Sequence, residues 1–399
     1  MKQITVKNVP TIKMYEKKYT SLKGGDFSTD PAKVDDYHSP WAPNLMPDSG
    51  GYPEKRPGYR TLHTYSGQIN GIHLFREQIL VHAGEKIYLH GETPGELIAD
   101  INNGHSTSFY YGGKLYILTG AEYLAYDGVS LSPVIGFVPT TQINMTPSSG
   151  AGTIFEDINC LTPKRTNSFK VPSGGATVFT LDAKGLDADP VTALVSGTTK
   201  AEGTDFTVDR TNGTVTFNSS IPDSGGVDSV QITFSKTISG LSERINKCTI
   251  FAWYGAGNDS RVFFSGNPDY PNMDFKSGLY DPSYFPNDGW TRIGSDVSAI
   301  MGYIKQYDNL VIVKEDSDQD STFFIRSAEL SSDGTAIFPM QQGITGVGAV
   351  SKYAFDYLRD DPLFLTKDGV SAVTLVSGGI SQQRTVQNRS EYINARLTK

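Results

Sequence analysis

The sequence predicts an all-β protein: a β-propeller of about six blades, with a small inserted β-sandwich and an extended N-terminal arm. Three observations carry that expectation. A short alternating apolar strand closed by a polar turn keeps returning along the chain. Residues that make turns and aromatic strands are abundant, with 41 Gly, 21 Pro, 21 Tyr and 20 Phe. One internal stretch, rich in Thr, Val, Gly and Asp, differs in character from what flanks it.

Residues 1–70 read as an arm and a closing strand. Residues 11–22 suit one strand with a polar face. Prolines then crowd Ser39-Pro40-Trp41-Ala42-Pro43-Asn44-Leu45-Met46-Pro47 and Gly51-Tyr52-Pro53-Glu54-Lys55-Arg56-Pro57-Gly58-Tyr59. Proline lacks an N–H and fixes φ, so such a run is neither helix nor central strand. The expectation is an extended segment laid over the fold or a neighbour and pinned by Trp41, Leu45, Tyr52 and Tyr59.

Residues 71–147 form the first part of the propeller. The recurring unit appears as Glu85-Lys86-Ile87-Tyr88-Leu89-His90-Gly91 and again as Gly113-Lys114-Leu115-Tyr116-Ile117-Leu118-Thr119-Gly120. Glu122-Tyr123-Leu124-Ala125-Tyr126 follows as a partner strand. Each unit suits a four-stranded blade.

Residues 148–240 hold a linker and the insert, whose core is placed at 165–237. Thr204-Asp205-Phe206-Thr207-Val208-Asp209 and Asn212-Gly213-Thr214-Val215-Thr216-Phe217 alternate around Asn-Gly, a strong hairpin signal. Phe179, Phe206, Phe217 and Phe234 read as its core. About seventy residues of this kind suit a small sandwich.

Residues 241–399 resume the blades. A helical turn is expected at 242–246, then Thr249-Ile250-Phe251-Ala252-Trp253-Tyr254 turning at Asn258-Asp259 into Arg261-Val262-Phe263-Phe264-Ser265. Further units run over 297–330 and 347–376, which makes five in view. The C-terminal residues stop where another unit could begin. Either the N-terminal strand closes the ring, or the chain is a shortened form of a longer one.

Bulk chemistry narrows the function. Hydrophobic residues are 38% and charged residues 20%, a composition that folds. The net charge is −8 with no Lys/Arg run, which disfavours gripping nucleic acid. The opening Met1-Lys2-Gln3-Ile4-Thr5-Val6 lacks an apolar signal core, and no run approaches the ~18 apolar residues of a membrane span. The expectation is a soluble protein made in a cytoplasm. Cys160 and Cys248 flank the insert, so they are able to meet in space; two buried thiols is the simpler reading.

Candidate chemistry is sparse. Asp316-Ser317-Asp318-Gln319-Asp320 has calcium-loop spacing, but Ser321 and Ser327 stand where that loop needs Gly and Glu. A charged hairpin tip is the simpler reading. The same stretch partly resembles the structural Asp-box turn of sialidases through Asp318, Thr322 and Phe323. The histidines are His38, His63, His73, His82, His90 and His105. His82 and His90 fall on adjacent strands, but surface or half-buried histidines are expected rather than a metal site. No nucleophile elbow, phosphate loop or zinc-protease motif is present in the sequence. The pairs Asp35-Asp36 and Asp360-Asp361 fall in turns. No enzymatic activity, cofactor or metal is expected. The long loop from Gly266 to Trp290 is rich in Pro and aromatics; it either packs across a blade or meets a partner subunit.

Several pieces together resemble the tail nozzle or "stabilisation" proteins of short-tailed phages. They are Gly24-Gly25-Asp26, Ala42-Pro43-Asn44-Leu45, Gly51-Tyr52-Pro53-Glu54-Lys55-Arg56-Pro57-Gly58, Phe264-Ser265-Gly266-Asn267-Pro268, Gly343-Ile344-Thr345-Gly346 and Lys367-Asp368-Gly369-Val370. The resemblance implies a homo-oligomeric ring, a hexamer, in the virion tail below the portal and adaptor. It would contact tail fibres or spikes, help retain DNA and form an exit channel through which DNA passes without specific binding. Subunit contacts would fall on Trp41, Leu45, Tyr52, Lys55, Arg56 and Tyr59 of the arm, and on Tyr270, Tyr280, Tyr284, Phe285 and Trp290 of the loop. An adhesion module for a host glycan, and after it a propeller glycosidase, are the alternatives.

Overall fold

The computed structural model describes residues 13–18, 21–256, 260–332, 334–342, 346–358, 361–378 and 381–397. The expected turn at Asn258-Asp259, the piece Gly343-Ile344-Thr345 and Asp360 lie outside them. The chain divides into two units. One comprises Met1–His63, Lys367–Ser371 and Gln387–Lys399; the other comprises Thr64–Thr366 and Ala372–Val386.

Strand dominates, as the sequence predicts. Among the described residues helix is confined to single turns, Glu243–Asn246 and Asn394–Leu397. The first is the helical turn expected at 242–246.

Five sheets of four strands follow in chain order among the described residues. Sheet 1 is Ile69–Phe75, Gln78–Ala83, Lys86–Leu89 and Gly95–Ile98. Sheet 2 is Thr107–Tyr111, Lys114–Leu118, Tyr123–Tyr126 and Leu131–Pro133. Sheet 3 is Ile250–Tyr254, Arg261–Ser265, Met273–Lys276 and Trp290–Arg292. Sheet 4 is Ile300–Gln306, Asn309–Lys314, Phe323–Arg326 and Met340–Gln342; sheet 5 is Phe355–Leu358, Asp361–Thr366, Gly369–Gly378 and Ser381–Asn388. The first three are antiparallel meanders, the architecture that short strands and tight turns favour.

Each pair of successive sheets closes over its own apolar layer. Phe75, Leu80 and Ile87 of sheet 1 meet Leu115, Ile117 and Leu124 of sheet 2. Phe109, Leu118 and Tyr123 of sheet 2 meet Val262, Phe264 and Phe275 of sheet 3. Tyr254 and Phe263 of sheet 3 meet Leu310 of sheet 4, and Val311, Val313 and Phe323 of sheet 4 meet Phe364 and Val373 of sheet 5. Each such side chain, removed from water, contributes about 1.5–3 kcal/mol. Middle strands are therefore apolar on both faces: Leu310, Val311, Ile312 and Val313 are all buried.

The insert has a core of its own. A six-stranded sheet runs in the order Thr153–Ile154, Thr140–Met145, Lys164–Lys170, Asp228–Ser235, Thr192–Val195, Thr198–Ala201. A three-stranded sheet is built from Ala176–Thr180, Thr214–Ile221 and Phe206–Asp209. Both feed one cluster containing Phe169, Phe179, Phe206, Phe217 and Phe234, four of which are the phenylalanines the sequence assigns to a core. The sheet begins earlier than residue 165. Thr140–Met145 pairs in parallel with Lys164–Lys170, and the Met145 side chain enters the cluster. The Asn212-Gly213 hairpin forms, but as a four-residue loop: Asp209 pairs with Thr214, and the Gly213 N–H donates back to the Asp209 carbonyl. Gly213 sits at φ +70°, so the left-handed position falls to the residue without a Cβ.

The first unit holds the arm. Gly24–Gly25 pairs in parallel with His38–Ser39, and Leu45–Pro47 forms a hairpin with Pro53–Lys55. The strand expected over 11–22 does not form in residues 13–18, 21 and 22; positions 11, 12, 19 and 20 lie outside the described residues. The polar, lysine-rich face of that stretch offers little apolar surface to bury.

Candidate interaction surfaces

The arm is ordered from within its own unit, by a tail the sequence does not connect with it. The Phe27 N–H donates to the Tyr392 carbonyl at 2.7 Å, and His38 stacks on the Tyr392 ring at 4.7 Å. The Arg396 guanidinium lies over Phe27 at 4.0 Å and over Trp41 at 4.9 Å. Asp26, buried, accepts the Ser28 and Thr29 N–H groups; Asp48 accepts those of Gly50 and Tyr52.

Of the four residues expected to pin the arm, Trp41 does so only through the Arg396 guanidinium over its ring, and all four remain largely exposed. Trp41 is 66% exposed, Leu45 46%, Tyr52 61% and Tyr59 96%. Lys55 and Arg56 are exposed as well. Local Asx turns and the C-terminal tail fix the backbone instead, which leaves those side chains facing out.

The loop before Trp290 divides into two classes. Phe285 is buried, with its ring 4.7 Å from Phe264 and edge-on to Tyr123. A residue so enclosed offers no surface to a partner, so Phe285 leaves the candidate set. Tyr284 is half-buried; its hydroxyl donates to the Asp157 carbonyl and its ring meets Phe137. Burial pushes its phenol pKa up. Tyr270 packs edge-on against Phe275 under the Arg244 guanidinium. Tyr280 and Trp290 remain 51% and 44% exposed.

Asn159 explains why the loop folds inward. Its side-chain amide donates to the Phe137 and Ser283 carbonyls, both at 2.8 Å, and accepts from the Phe285 and Leu161 N–H groups. The Cys160 N–H donates to the Phe285 carbonyl. A buried amide with all these bonds made stitches the loop to the entry of the insert. Apart from Leu161, the partners of Asn159 stand 22 and over 120 positions away.

The other candidates resolve as structure. Asp320 accepts from Ser295 and Ser298 and pairs at 2.5 Å with Lys314, which is fully buried. The Asp316–Asp320 stretch is thus more than a charged tip, since one of its carboxylates compensates a buried ammonium. Among the described residues no group of three or more His, Cys, Asp or Glu is arranged to hold a metal ion. Cys160 and Cys248 are free, buried, and share one apolar cluster. Burial pushes the Cys160 thiol up to about 12 and Cys248 higher still.

His38, His63, His90 and His105 are half-buried or exposed, as expected, whereas His73 and His82 are not. His82 pairs across the sheet with Ile87, not His90, and His90 instead bonds the Tyr65 hydroxyl at 2.7 Å. His73 and His82 are buried, and both reach the Ser106 hydroxyl.

One open cleft of about 450 Å³ is aromatic-walled, lined by Phe251, Trp253, Tyr303, Tyr357, Leu310 and Lys305. It lies where the first strands of sheets 3 and 4 run side by side.

No family model matches the chain, and no curated protein matches it. Solved structures give distant likenesses. One is the extracellular domain of a putative hybrid two-component system of B. thetaiotaomicron: 8% identity, 84% of this chain, 38% of that one, TM-score 0.31. An extracellular domain described as part of a one-component system from the same organism gives 10% identity, 79% and 40% coverage, and a TM-score of 0.22. PorZ, a surface component of the type-IX secretion system of Porphyromonas gingivalis, gives 11%, 80% and 38%, and 0.18. The chain spans about two fifths of the length of each. Scores this low carry no argument about fold or function. Among the described residues no helix is long and apolar enough to cross a membrane.

Proposed function

We propose that this chain is a structural part of a phage tail, a propeller-built subunit of the nozzle or hub ring below the portal and adaptor. The observation that carries the reading is the run of four-stranded sheets. Their first strands neighbour one another in series: sheet 1 with 2, 3 with 4, and 4 with 5. Phe109 of sheet 2 packs tilted against Phe251 of sheet 3 and Tyr111 stacks on Trp253, which supplies the remaining step. First strands in series around an axis are how propeller blades are arranged. A sixth blade completes the ring in this reading.

The polar side chains support a structural role. Asn159, Asp274 and Asp320 are each consumed in fastening. The exposed aromatics of the arm, beside Lys55 and Arg56, supply anchors for a neighbouring copy. A net charge of −8 keeps a channel wall from holding passing DNA. The direct test is proteomic: peptides of this chain are expected in purified virions at a ring's copy number. Their absence from virions sinks the reading.

The aromatic-walled cleft favours a second reading, a glycan-binding part of the tail. Sugar rings lie flat on aromatic faces, and Trp253 with Tyr357 offers such walls. Glycan-array binding lost in Tyr357→Ala, a 48% exposed wall of the cleft, with the fold retained by circular dichroism, would favour it over the nozzle.

A further inference from the structure

We propose that His73, His82 and Ser106 form an acid-sensitive latch between the first two sheets, closed while both imidazoles are neutral and released when they take up protons.

The geometry is that of a relay with one shared hydroxyl. His73 stands on Ile69–Phe75 and His82 on Gln78–Ala83, on the same face of sheet 1. Ser106 and Ser108 belong to the segment that opens sheet 2. The Ser106 Oγ lies 2.9 Å from His73 Nε2 and 2.9 Å from His82 Nδ1, and Ser108 Oγ lies 2.9 Å from His73 Nδ1. The hydroxyl has one proton to give, so one imidazole donates to it while the other accepts from it. Neutral rings satisfy that chain of bonds without any charge. The backbone is fitted to the cluster too: a Cβ on Gly71 would stand 2.8 Å from His73 Nε2 and closer still to Ser106 Oγ.

Protonation finds poor compensation here. Both imidazoles are buried, and His82 Nε2 has no hydrogen-bond partner. A third imidazole, His105, repels both of the others and is itself packed against Tyr353 at 3.8 Å. One carboxylate, Glu122, acts favourably on His82, and it already accepts from Thr119 and the Asn102 N–H. Burial is the largest effect on His82; the Gly84 and Asn102 carbonyls come next, ahead of Glu122, and favour its charged form without overcoming that burial. For His73 burial is the largest effect, followed by His82 and then His105, and it is held down to about 4.

The sign follows from linkage. A histidine depressed in the fold gives stability that is complete above its unfolded value of about 6.5 and is lost as the pH falls toward 4. Between pH 8 and pH 5, His73 alone raises the opening constant of the junction about 30-fold.

Amide hydrogen exchange on the full chain at pH 8 and pH 5, corrected for intrinsic rates, tests this. Segments 69–83 and 107–118 should lose about 30-fold or more in protection. Strands Lys164–Lys170 and Asp228–Ser235 of the insert, which contains no histidine, should lose none. The double variant His73→Gln/His82→Asn should remove most of the difference and leave only the contribution of His105, which burial also holds down. Should that variant fail to fold, the imidazole C2 protons of the wild type decide by NMR: a His73 midpoint below 5 supports the latch. A midpoint near 6.5, an equal loss of protection in the insert, or an unchanged pH response in the folded double variant overturns it.

Discussion

Asp274→Ala should be among the most damaging single changes available to this fold, although it deletes only a small polar side chain. Asp274 and Arg326 are both fully buried, one on sheet 3 and the other on sheet 4. The guanidinium donates through one terminal nitrogen at 2.5 Å and through the other at 3.1 Å, and its face lies 4.6 Å from the Phe263 ring. The Tyr303 hydroxyl adds a third bond to Asp274. With the carboxylate gone, a permanent cation remains in an apolar layer with no negative partner. Leaving one member of a buried pair uncompensated costs about 3–5 kcal/mol. That compares with a total stability of about 5–15 kcal/mol for a domain.

Urea unfolding followed by tryptophan fluorescence measures it, because Trp253 and Trp290 lie on sheet 3. With a slope of about 3 kcal/mol per molar, the midpoint should fall by about 1–1.7 M. The paired change Asp274→Leu with Arg326→Met removes both charges and should return most of that loss, since apolar replacement of a whole buried pair is often neutral. A single variant that shifts the midpoint by less than about 0.3 M would refute the reasoning, as would a double variant no better than the single.

Four further outcomes are expected. Gly213→Ala should lower the melting temperature by several degrees, as a loss of about 1–3 kcal/mol implies: the site has φ +70°, and the new Cβ would strike the Ala183 carbonyl. Cys160 and Cys248 should resist a thiol reagent at pH 8 in the native protein and react at once in urea, because burial holds both thiols protonated. Arg396→Ala should expose the arm to limited proteolysis between residues 28 and 60, since it removes the cation resting on Phe27 and Trp41. Tyr59→Ser should leave thermal stability within about 0.5 kcal/mol, the residue being 96% exposed, while lowering incorporation into tails if the arm carries a subunit contact.

What the sequence made legible was local. Period-2 alternation is written in neighbouring residues, so Lys114-Leu115-Tyr116-Ile117-Leu118 could be read as a strand without knowing its partners. The five units and the hairpin at Asn212-Gly213 came from that same signal. The phenylalanines of the insert read as core because they are almost the only aromatics on its strands, too few for an exposed platform. What stayed hidden was pairing at a distance. Asp274 and Arg326 are 52 positions apart, His73 and Ser106 33, and Asn159 and Ser283 124. None of these sits in a motif, because the chemistry depends on two sheets meeting. The loop aromatics were harder for the same reason. Tyr270, Tyr280, Tyr284 and Phe285 have the same composition signature, and partners distant in sequence decide which turn inward: Asn159 for Phe285, Asp157 and Phe137 for Tyr284, Arg244 for Tyr270. The fitting of the C-terminal tail to the arm was invisible for want of any pattern linking Tyr392 and Arg396 to Phe27.

These distant polar contacts share a location, and that location gives them a common purpose. Successive sheets meet through apolar layers of similar composition, and an apolar face does not by itself distinguish one neighbour from another. Each junction carries a different polar fastener. Sheets 1 and 2 have the histidine–serine cluster; sheets 2 and 3 have the Thr107 hydroxyl on the Thr249 carbonyl and Tyr123 on Pro282; sheets 3 and 4 have Asp274 with Arg326. Sheets 4 and 5 have the Gln306 amide donating to the Val373 carbonyl at 2.7 Å. A misplaced sheet would bury an unpaired charge or an unmade hydrogen bond, at about 1–3 kcal/mol for each neutral group and more for a charge. Repeated apolar sheets invite such misplacement, and the fasteners penalise it. The double replacement at Asp274 and Arg326 tests this as well. It should recover most of the wild-type urea midpoint yet refold from urea with a larger aggregated fraction by size-exclusion chromatography. Equal refolding yields would show that the apolar layer alone selects the pairing of sheets 3 and 4.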